Sequence, residues 1–247
     1  ILSGYLNEVI VNYFKGDKNH NLEVVHIIEK YPLGTAGSLK QIENIVSKKF
    51  LVIYGDTFFD INIKKFVEFD KKYDAPIGTI FSHPNDHPYD SDLIIVKDNL
   101  VEKFVPKPHK DLSCLRNNVN AAFYILNKNI FNYIEENENK DLGRDIFPNV
   151  PKYHIASYKS SEYIKDIGTK ERLVQVFNDY KSGKTFRRNL KNISLEEQGN
   201  NPVVKMKILI DAERKTNITE WNKYKYLLDL PGAHPWSVRF KELLATN

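Results

Sequence analysis

Hydrophobic positions in the first part of the chain follow two alternating patterns. Short apolar runs such as Leu51–Tyr54 are followed by segments in which apolar residues recur every three or four positions, as in Leu6–Phe14. The first pattern is typical of a strand buried on both faces, and the second of an amphipathic helix. Alternation at this spacing predicts βαβ units and a parallel sheet. The expected elements are strands at 23–28 and 51–56 and helices at 6–14, 36–46 and 63–72.

After Ala75-Pro76 the rhythm changes, and strands follow one another directly. Asp98-Asn99 separates two short apolar runs and predicts a hairpin turn. The expected strands are 77–82, 93–97, 100–105, 119–126, 153–158 and 163–166, and the expected helices are 130–136 and 170–180. Together the two patterns predict an α/β fold with a Rossmann-like, doubly wound mixed sheet.

Asp56 is the first candidate site residue. It follows the apolar run that ends at Tyr54, in the sequence Gly55-Asp56-Thr57. Ligands of open α/β sheets bind beyond the carboxyl ends of the strands, so a carboxylate there is placed for metal or phosphate chemistry. The alternative is that Gly-Asp-Thr forms a turn followed by a helix N-cap.

Asp166 repeats this arrangement later in the chain, where Tyr163–Asp166 is followed by Gly168-Thr169. Asp166 could therefore meet Asp56 across one site. Two carboxylates with open coordination positions suit magnesium carrying a nucleoside triphosphate, because magnesium keeps waters and takes few protein ligands. The alternative is that Asp166 is an N-terminal cap of the following helix.

Two further segments are candidates for ligand contacts. Gly34 and Gly37 lie around a helix start, where unpaired N–H groups and missing Cβ atoms let a planar ligand or a phosphate approach. The alternative there is ordinary helix capping. Lys107 lies between Pro106 and Pro108, which stiffen the backbone in a way that suits a lysine aimed at phosphate. The alternative is a solvated surface lysine.

Composition limits the class of protein. The chain has 247 residues, 41% hydrophobic and 28% charged, which is typical of a globular protein with one or two domains. The net charge of +4 is spread along the chain, so we expect no nucleic-acid partner. A single cysteine, Cys114, excludes an intrachain disulfide and favours a cytoplasmic location. No stretch is long and apolar enough to predict a membrane span.

Seven segments in this order resemble the sugar-1-phosphate nucleotidyltransferases, especially the mannose-1-phosphate and heptose-1-phosphate guanylyltransferase type. The resemblance covers residues 1 to about 180. The segments are Ser3-Gly4-Tyr5, Pro32-Leu33-Gly34-Thr35-Ala36-Gly37, Gly55-Asp56-Thr57, Pro106-Lys107-Pro108, Asn120-Ala121-Ala122, Asp145-Ile146-Phe147-Pro148 and Asp166-Ile167-Gly168-Thr169.

The resemblance implies a reaction and a set of site residues. The substrates would be a nucleoside triphosphate, GTP by this resemblance, and a sugar 1-phosphate; a homo-oligomer is compatible with it. Asp56 and Asp166 would bind the catalytic Mg²⁺, and Lys107 would act in catalysis. Lys107 and Asn120 would contact the sugar phosphate. The nucleoside pocket would be lined by Gly34, Thr35, Ala36 and Gly37.

Some positions depart from the family pattern. The family's glycine-rich loop, with its arginine and later lysine, would lie upstream of Ile1, so we expect residues 1–182 to form an incomplete domain that is weakly active or inactive alone. Pro106 stands where the family usually has a glutamate, Ala122 where it has a glycine, and Gly143 where it has a glutamate. These changes leave the identity of the sugar open.

The C-terminal part has a different character. Residues 183–202 are polar and predict a linker. Residues 203–247 resemble part of the capsule-associated and lipopolysaccharide-modifying glycosyltransferases through Lys225–Asp229, Trp236-Ser237 and Arg239–Ala245. This second resemblance implies a partial α/β segment with nucleotide-sugar contacts from Gly232, Ser237 and Arg239. The alternative is a helical appendage packed on the first domain through Trp221, Trp236 and Phe240.

Two alternative functions stay open. The chain could be a noncatalytic partner that binds sugar nucleotides and regulates an active subunit. It could also be part of a bifunctional enzyme that makes an activated sugar and then transfers it.

Overall fold

A computed structural model of the chain describes residues 1–16, 23–85, 88–109 and 115–185, and the backbone of 226–229. The described strands are β1 Leu2–Ser3, β2 Ile27–Ile28, β3 Lys49–Tyr54, β4 Thr57–Asp60, β5 Gly78–His83, β6 Leu93–Lys97, β7 Leu100–Val105, β8 Val119–Asn127, β9 Ile155–Lys159, β10 Tyr163–Asp166 and β11 Tyr226–Asp229. The α-helices are α1 Asn7–Gly16, α2 Gly34–Lys40, α3 Ile63–Tyr73 and α4 Lys170–Lys181. Short 3₁₀-helices span Pro88–Asp90, Lys128–Tyr133 and Phe147–Asn149, and a π-helical turn spans Leu142–Ile146.

The main sheet of the described residues has nine strands in the order β2-β1-β11-β3-β8-β5-β9-β7-β6. Strands β2, β1, β11 and β3 are parallel, whereas β8 runs antiparallel to both β3 and β5. The expected mixed α/β sheet is therefore confirmed. This topology places the carboxyl ends of β1, β3 and β5 and the amino end of β8 at one edge of the sheet.

Alternation along β3 and β8 builds a core on each face of the sheet. On one face, Phe50 stacks on Phe131 at 5.7 Å between ring centroids. On the other face, Phe66 of α3 packs against Phe123 at 5.6 Å. All four rings are buried, because successive residues of a strand point to opposite faces and both faces are covered.

The hairpin at Asp98-Asn99 is confirmed. The two residues have φ angles of 51° and 62°, as the turn of a tight hairpin between right-twisted strands requires. Strands β6 and β7 pair antiparallel on either side of this turn.

Other predicted elements have different bounds. The helix expected at 36–46 is α2, which ends at Lys40 and continues as turns with 3₁₀-type hydrogen bonds such as Ile42 N to Leu39 O, 3.1 Å. The strand expected at 23–28 is reduced to β2. The helix expected at 130–136 is the 3₁₀-helix Lys128–Tyr133, which starts where the Asn127 side chain accepts a hydrogen bond from Asn129 N.

The strand β11 lies between β1 and β3 and is parallel to both. Its residues Tyr226–Asp229 fall within Lys225–Asp229, one of the segments that carry the second resemblance, and they belong to the same sheet as the strands of the first domain. The rest of the C-terminal predictions, including Gly232, Ser237 and Arg239, lie outside the described residues. Within the described ranges, no helix is both long enough and apolar enough to cross a bilayer.

Candidate functional site

Asp56 and Asp166 are brought together by a small second sheet. Strand β4 begins directly after the Gly55-Asp56 turn and pairs antiparallel with β10, so that Asp166 lies opposite Thr57. The backbone N–H of Ile167 donates a hydrogen bond to the Asp56 carbonyl, at 2.8 Å. The two predicted carboxylates therefore converge at the carboxyl end of β3. Their role as metal ligands stays a prediction.

The helix-capping alternatives for these two residues are wrong. Asp56 is followed by strand β4 and not by a helix. Helix α4 is capped by Thr169, whose hydroxyl accepts a hydrogen bond from Arg172 N at 3.2 Å. Asp166 instead accepts a hydrogen bond from Gly168 N through Oδ1, which orients its carboxylate within the turn.

Burial and a like charge both act on Asp56. Desolvation and then the negative charge of Asp166 raise the pKa of Asp56 to about 6, against the opposing effects of a local backbone hydrogen bond and the charge of Arg172. A carboxyl group with this pKa is held in an unfavourable electrostatic environment. Such an environment is typical of functional sites, because a bound cation would relieve it.

Arg172 and Asp90 connect this pair to Lys107. The guanidinium Nη1 of Arg172 lies 2.6 Å from Asp166 Oδ2, and its Nη2 lies 3.8 Å from Asp90 Oδ2. The Lys107 ammonium donates a hydrogen bond to the Asp90 carbonyl at 3.0 Å and lies 3.5 Å from Asp90 Oδ1. Asp90 and Arg172 thus connect Lys107, the predicted phosphate-contacting lysine, to Asp166, one of the two predicted metal ligands.

Asn120 belongs to the same edge of the sheet. It lies at the start of β8, and its side chain hydrogen-bonds with the buried hydroxyl of Tyr124, which also hydrogen-bonds with Tyr54 at the end of β3. Asn120 N donates to the Asp92 carbonyl at 3.0 Å, and Lys107 N donates to Asp92 Oδ1 at 3.0 Å. Asp92 therefore holds Lys107 and Asn120, the two predicted sugar-phosphate contacts, next to each other.

The segment Gly34–Gly37 forms the start of α2 and packs against residues 138–142. A Cβ atom would lie 2.4 Å from the Lys140 carbonyl oxygen at Gly34 and 2.1 Å from the Glu138 carbonyl oxygen at Gly37. Gly34 also has a φ of 69°, which favours glycine. Close backbone packing thus explains both glycines without a ligand, and their contact with a nucleoside stays a prediction.

Thr35 links this helix to the rest of the site. Its hydroxyl donates to Asp141 Oδ2 at 3.0 Å and accepts from Leu142 N at 2.8 Å. Ala36 is buried, and its N–H donates to the Lys140 carbonyl at 2.9 Å. Beyond Asp141, a Cβ at Gly143 would lie 3.2 Å from Asp92 Oδ2, so the contacts continue to the aspartate that accepts hydrogen bonds from Lys107 and Asn120.

Sequence reasoning missed four residues of this network: Asp90, Asp92, Asp141 and Arg172. One signal was available for Arg172, which lies in the first turn of α4. A cation there opposes the helix dipole, so it indicates a specific anionic partner nearby. The three aspartates carry no such signal, because each lies in a loop or a short helix whose partners are distant in sequence.

The residues present fit a magnesium ion that completes its shell with ligand oxygens. The described residues contain no group of three or more histidine, cysteine, aspartate or glutamate side chains that could hold a metal. Magnesium, however, is commonly bound by one or two carboxylates together with waters and substrate phosphates. Asp56 and Asp166 provide such a pair, and a cation between them would offset the repulsion that helps to raise the pKa of Asp56.

Comparisons with known proteins agree with this fold. The nucleotidyl transferase family model matches residues 1–183, and the chain belongs to this family of enzymes. The chain is 31% identical over 172 residues to the mannose-1-phosphate guanyltransferase of Candida albicans, covering 66% of this chain and 46% of that protein. It is 30% identical over 167 residues to the D-glycero-alpha-D-manno-heptose 1-phosphate guanylyltransferase of Campylobacter jejuni, covering 68% of this chain and 72% of that protein.

A solved structure gives the same result at the level of the fold. The structure of HddC from Yersinia pseudotuberculosis superposes with a TM-score of 0.61 and 26% identity, over 73% of this chain and 78% of that chain. The same protein complexed with GMP-PN superposes with a TM-score of 0.59 over 72% of this chain and 76% of that chain. The chain spans 46% of the length of the Candida albicans protein, which is less than half.

Proposed function

We propose that this chain takes part in magnesium-dependent transfer of a nucleotidyl group from GTP to a sugar 1-phosphate of the mannose or heptose type. The products would be a nucleoside diphosphate sugar and pyrophosphate. Membership of the nucleotidyl transferase family, two guanylyl-transferring relatives and a solved relative complexed with GMP-PN support the proposal. The observation that carries it is the convergence of Asp56 and Asp166 beside Arg172 and Lys107.

Each site residue has a role in this proposal. Asp56 and Asp166 would hold magnesium, which when bound neutralises the triphosphate and orients its α-phosphate. Lys107 would supply a point charge to the sugar phosphate, and Asn120 would supply amide hydrogen bonds. Helix α2, which contains Gly34 and Gly37, would border the nucleoside.

The reaction is an in-line displacement at phosphorus. An oxygen of the sugar 1-phosphate attacks the α-phosphorus, and the bond between that phosphorus and the oxygen bridging to the β-phosphate breaks. The bonding electron pair leaves with pyrophosphate. No covalent bond to the protein forms, so the residues act by positioning the two substrates and by stabilising charge.

Turnover and binding together test the proposal. The chain is incubated with GTP, mannose 1-phosphate and Mg²⁺, and pyrophosphate release is measured, with UTP in place of GTP as a comparison. Calorimetry then measures GTP binding with and without Mg²⁺. We expect slow turnover by this chain, magnesium-dependent GTP binding, and loss of both in Asp56→Asn and Asp166→Asn.

The outcomes separate the proposal from its alternatives. Turnover that is unchanged in both variants would contradict the assigned metal ligands, and absence of GTP and mannose 1-phosphate binding would contradict the function. Binding without turnover that Asp56→Ala leaves unaffected would favour the noncatalytic regulatory partner. Fast turnover by the 247-residue chain would contradict only the expectation of weak activity.

A further inference from the structure

Asp90 makes an unusual set of contacts at the edge of the site. Its two carboxylate oxygens each face a different cation, with Lys107 Nζ 3.5 Å from Oδ1 and Arg172 Nη2 3.8 Å from Oδ2. The two cations come from distant parts of the chain, the segment after β7 and the first turn of α4. They converge on one anionic group, and that group belongs to the protein itself.

These contacts are weak enough to exchange. The Asp90 side chain is 66% exposed, and solvent screens exposed ion pairs so that each contributes little net stability. A phosphate group carries more charge and more acceptor oxygens than a carboxylate. It can accept hydrogen bonds from a guanidinium and an ammonium at the same time. A phosphate ligand is therefore the better partner for this pair of cations.

Arg172 is also held in position for such a ligand. Its Nη1 lies 2.6 Å from Asp166 Oδ2, which fixes one side of the guanidinium and leaves Nη2 directed towards Asp90. Its backbone N–H is bound by the Thr169 hydroxyl at 3.2 Å, so the first turn of α4 is also fixed. The guanidinium thus connects the carboxylate pair to the position that Asp90 occupies.

We propose that Lys107 and Arg172 form one phosphate-binding subsite, and that Asp90 occupies this subsite in the free protein until a phosphate ligand displaces it. This inference rests on the proposed function, in which the ligand is the phosphate of the sugar 1-phosphate. It adds Arg172 as a binding residue and gives Asp90 the role of an internal competitor. Asp90 lowers the affinity of the subsite for every phosphate ligand.

Binding measurements without metal test the subsite apart from catalysis. Calorimetry in magnesium-free buffer with a chelator measures the Kd of inorganic phosphate and of mannose 1-phosphate. We expect Asp90→Asn to tighten both Kd values threefold to tenfold, since the competing charge is removed. We expect Arg172→Gln to weaken both by tenfold or more and Arg172→Lys to weaken both by less, because an ammonium keeps the charge without the planar fork.

The matched control is Lys170→Gln, which removes one positive charge from an exposed residue in the same turn of α4. It should change both Kd values less than twofold. Circular dichroism checks that each variant is folded, and the tighter binding of Asp90→Asn cannot result from misfolding. The double variant Asp90→Asn with Arg172→Gln should lose the gain of the first substitution.

Two results would overturn the subsite: Kd values in Asp90→Asn within twofold of those of the unmodified chain, or equal effects of Arg172→Gln and Lys170→Gln. Failure of the subsite and failure of the proposed function are distinguishable. Nucleotidyl transfer that neither Asp90→Asn nor Arg172→Gln affects would support the proposed function and contradict the subsite. If the phosphate Kd values shift as expected but no nucleotidyl group is transferred from GTP, the subsite is supported and the proposed function is contradicted.

Discussion

The two ends of strand β3 carry acidic clusters with opposite properties. At the amino end, Lys49 Nζ lies 2.8 Å from Asp70 Oδ2, and the Thr79 hydroxyl donates to Asp70 Oδ1 at 2.8 Å. Asp70 is fully buried, with 0% exposure, and both its oxygens are paired. At the carboxyl end, Asp56 faces the like charge of Asp166 and its pKa is raised to about 6.

This difference distinguishes a charged group that stabilises the fold from charged groups that are placed to bind a ligand. The Asp70 cluster connects α3 to β3 and β5, and its hydrogen bonds offset the cost of burying the carboxylate. In the Asp56 cluster, the positive charge of Arg172 offsets only part of the repulsion between the two carboxylates, and the pKa of Asp56 stays raised in the free protein. Residues that break local electrostatic rules in this way are expected where a ligand supplies the missing partner.

Removal of Asp70 should have the largest effect on folding. Asp70→Ala leaves Lys49 and Thr79 without their buried partner, so we expect a loss of about 3 to 5 kcal/mol in the free energy of unfolding. Asp74→Ala is the control, because Asp74 contacts the same Lys49 Nζ at 2.8 Å but its side chain is 78% exposed. Its removal should shift the urea midpoint far less, since solvent screens an exposed ion pair. Equal shifts of the two urea midpoints would contradict the structural role of Asp70.

A substitution at Gly37 tests whether helix α2 packs closely against the backbone at Glu138. In Gly37→Ala the new Cβ would lie 2.1 Å from the Glu138 carbonyl oxygen, so the backbone must move. We expect a loss of about 2 to 3 kcal/mol, measured by denaturant unfolding. Gly183→Ala is the control, since Gly183 has a φ of 73° and a Cβ added there would meet no atom within 4 Å.

Gly183→Ala should cost about 1 kcal/mol, from backbone strain alone. A neutral or stabilising effect of Gly37→Ala would instead indicate open space beside Gly37, because alanine favours the helix more than glycine does. The helix would then have room for a ligand at the position now assigned to backbone packing.

Stability should depend on pH through Asp56. Its folded pKa of about 6 lies above the ordinary value of 3.8, so between these values the folded state binds more protons than the unfolded state. The contribution of Asp56 to stability is therefore present at about pH 4 and is lost as the pH rises to about 6.

Asp56→Asn should remove this dependence and, in metal-free buffer at pH 7, raise the free energy of unfolding by on the order of 1 to 2 kcal/mol. Unfolding curves of both proteins from pH 4 to 8 measure the difference. A difference that is constant across this range would show that Asp56 is not destabilised in the folded state. If Asp56→Asn stabilises the fold but loses ligand binding, whereas Asp70→Ala destabilises the fold, the two ends of β3 have the opposite roles assigned to them.

The sequence was sufficient to predict the strands that carry the candidate site. The apolar run before Gly55-Asp56 and the residues Tyr163–Asp166 are strands where expected, because their patterns are local. Strand β4 was missed, since Thr57–Asp60 is half-buried throughout and pairs only with the distant β10. Yet β4 is the element that brings Asp166 to Asp56.

The connecting residues could not be predicted for a similar reason. Asp90 and Arg172 meet only because the 3₁₀-helix Pro88–Asp90 and α4 fold to the same edge of the sheet. The spacing of charges along the chain carries no information on such long-range contacts. The glycines of α2 were predicted to matter, but the close approach of residues 138–140 that explains them becomes visible only in the fold.

Metal binding at Asp56 and Asp166 can be measured with Mn²⁺ in place of Mg²⁺, by electron paramagnetic resonance in the presence of GTP. The unmodified chain should bind Mn²⁺ together with GTP, and Asp56→Asn and Asp166→Asn should each weaken this binding at least tenfold. Asp74→Asn, at the other end of β3, should leave it unchanged. Equal Mn²⁺ affinity in all four proteins would contradict the assignment of the carboxylate pair as the metal site.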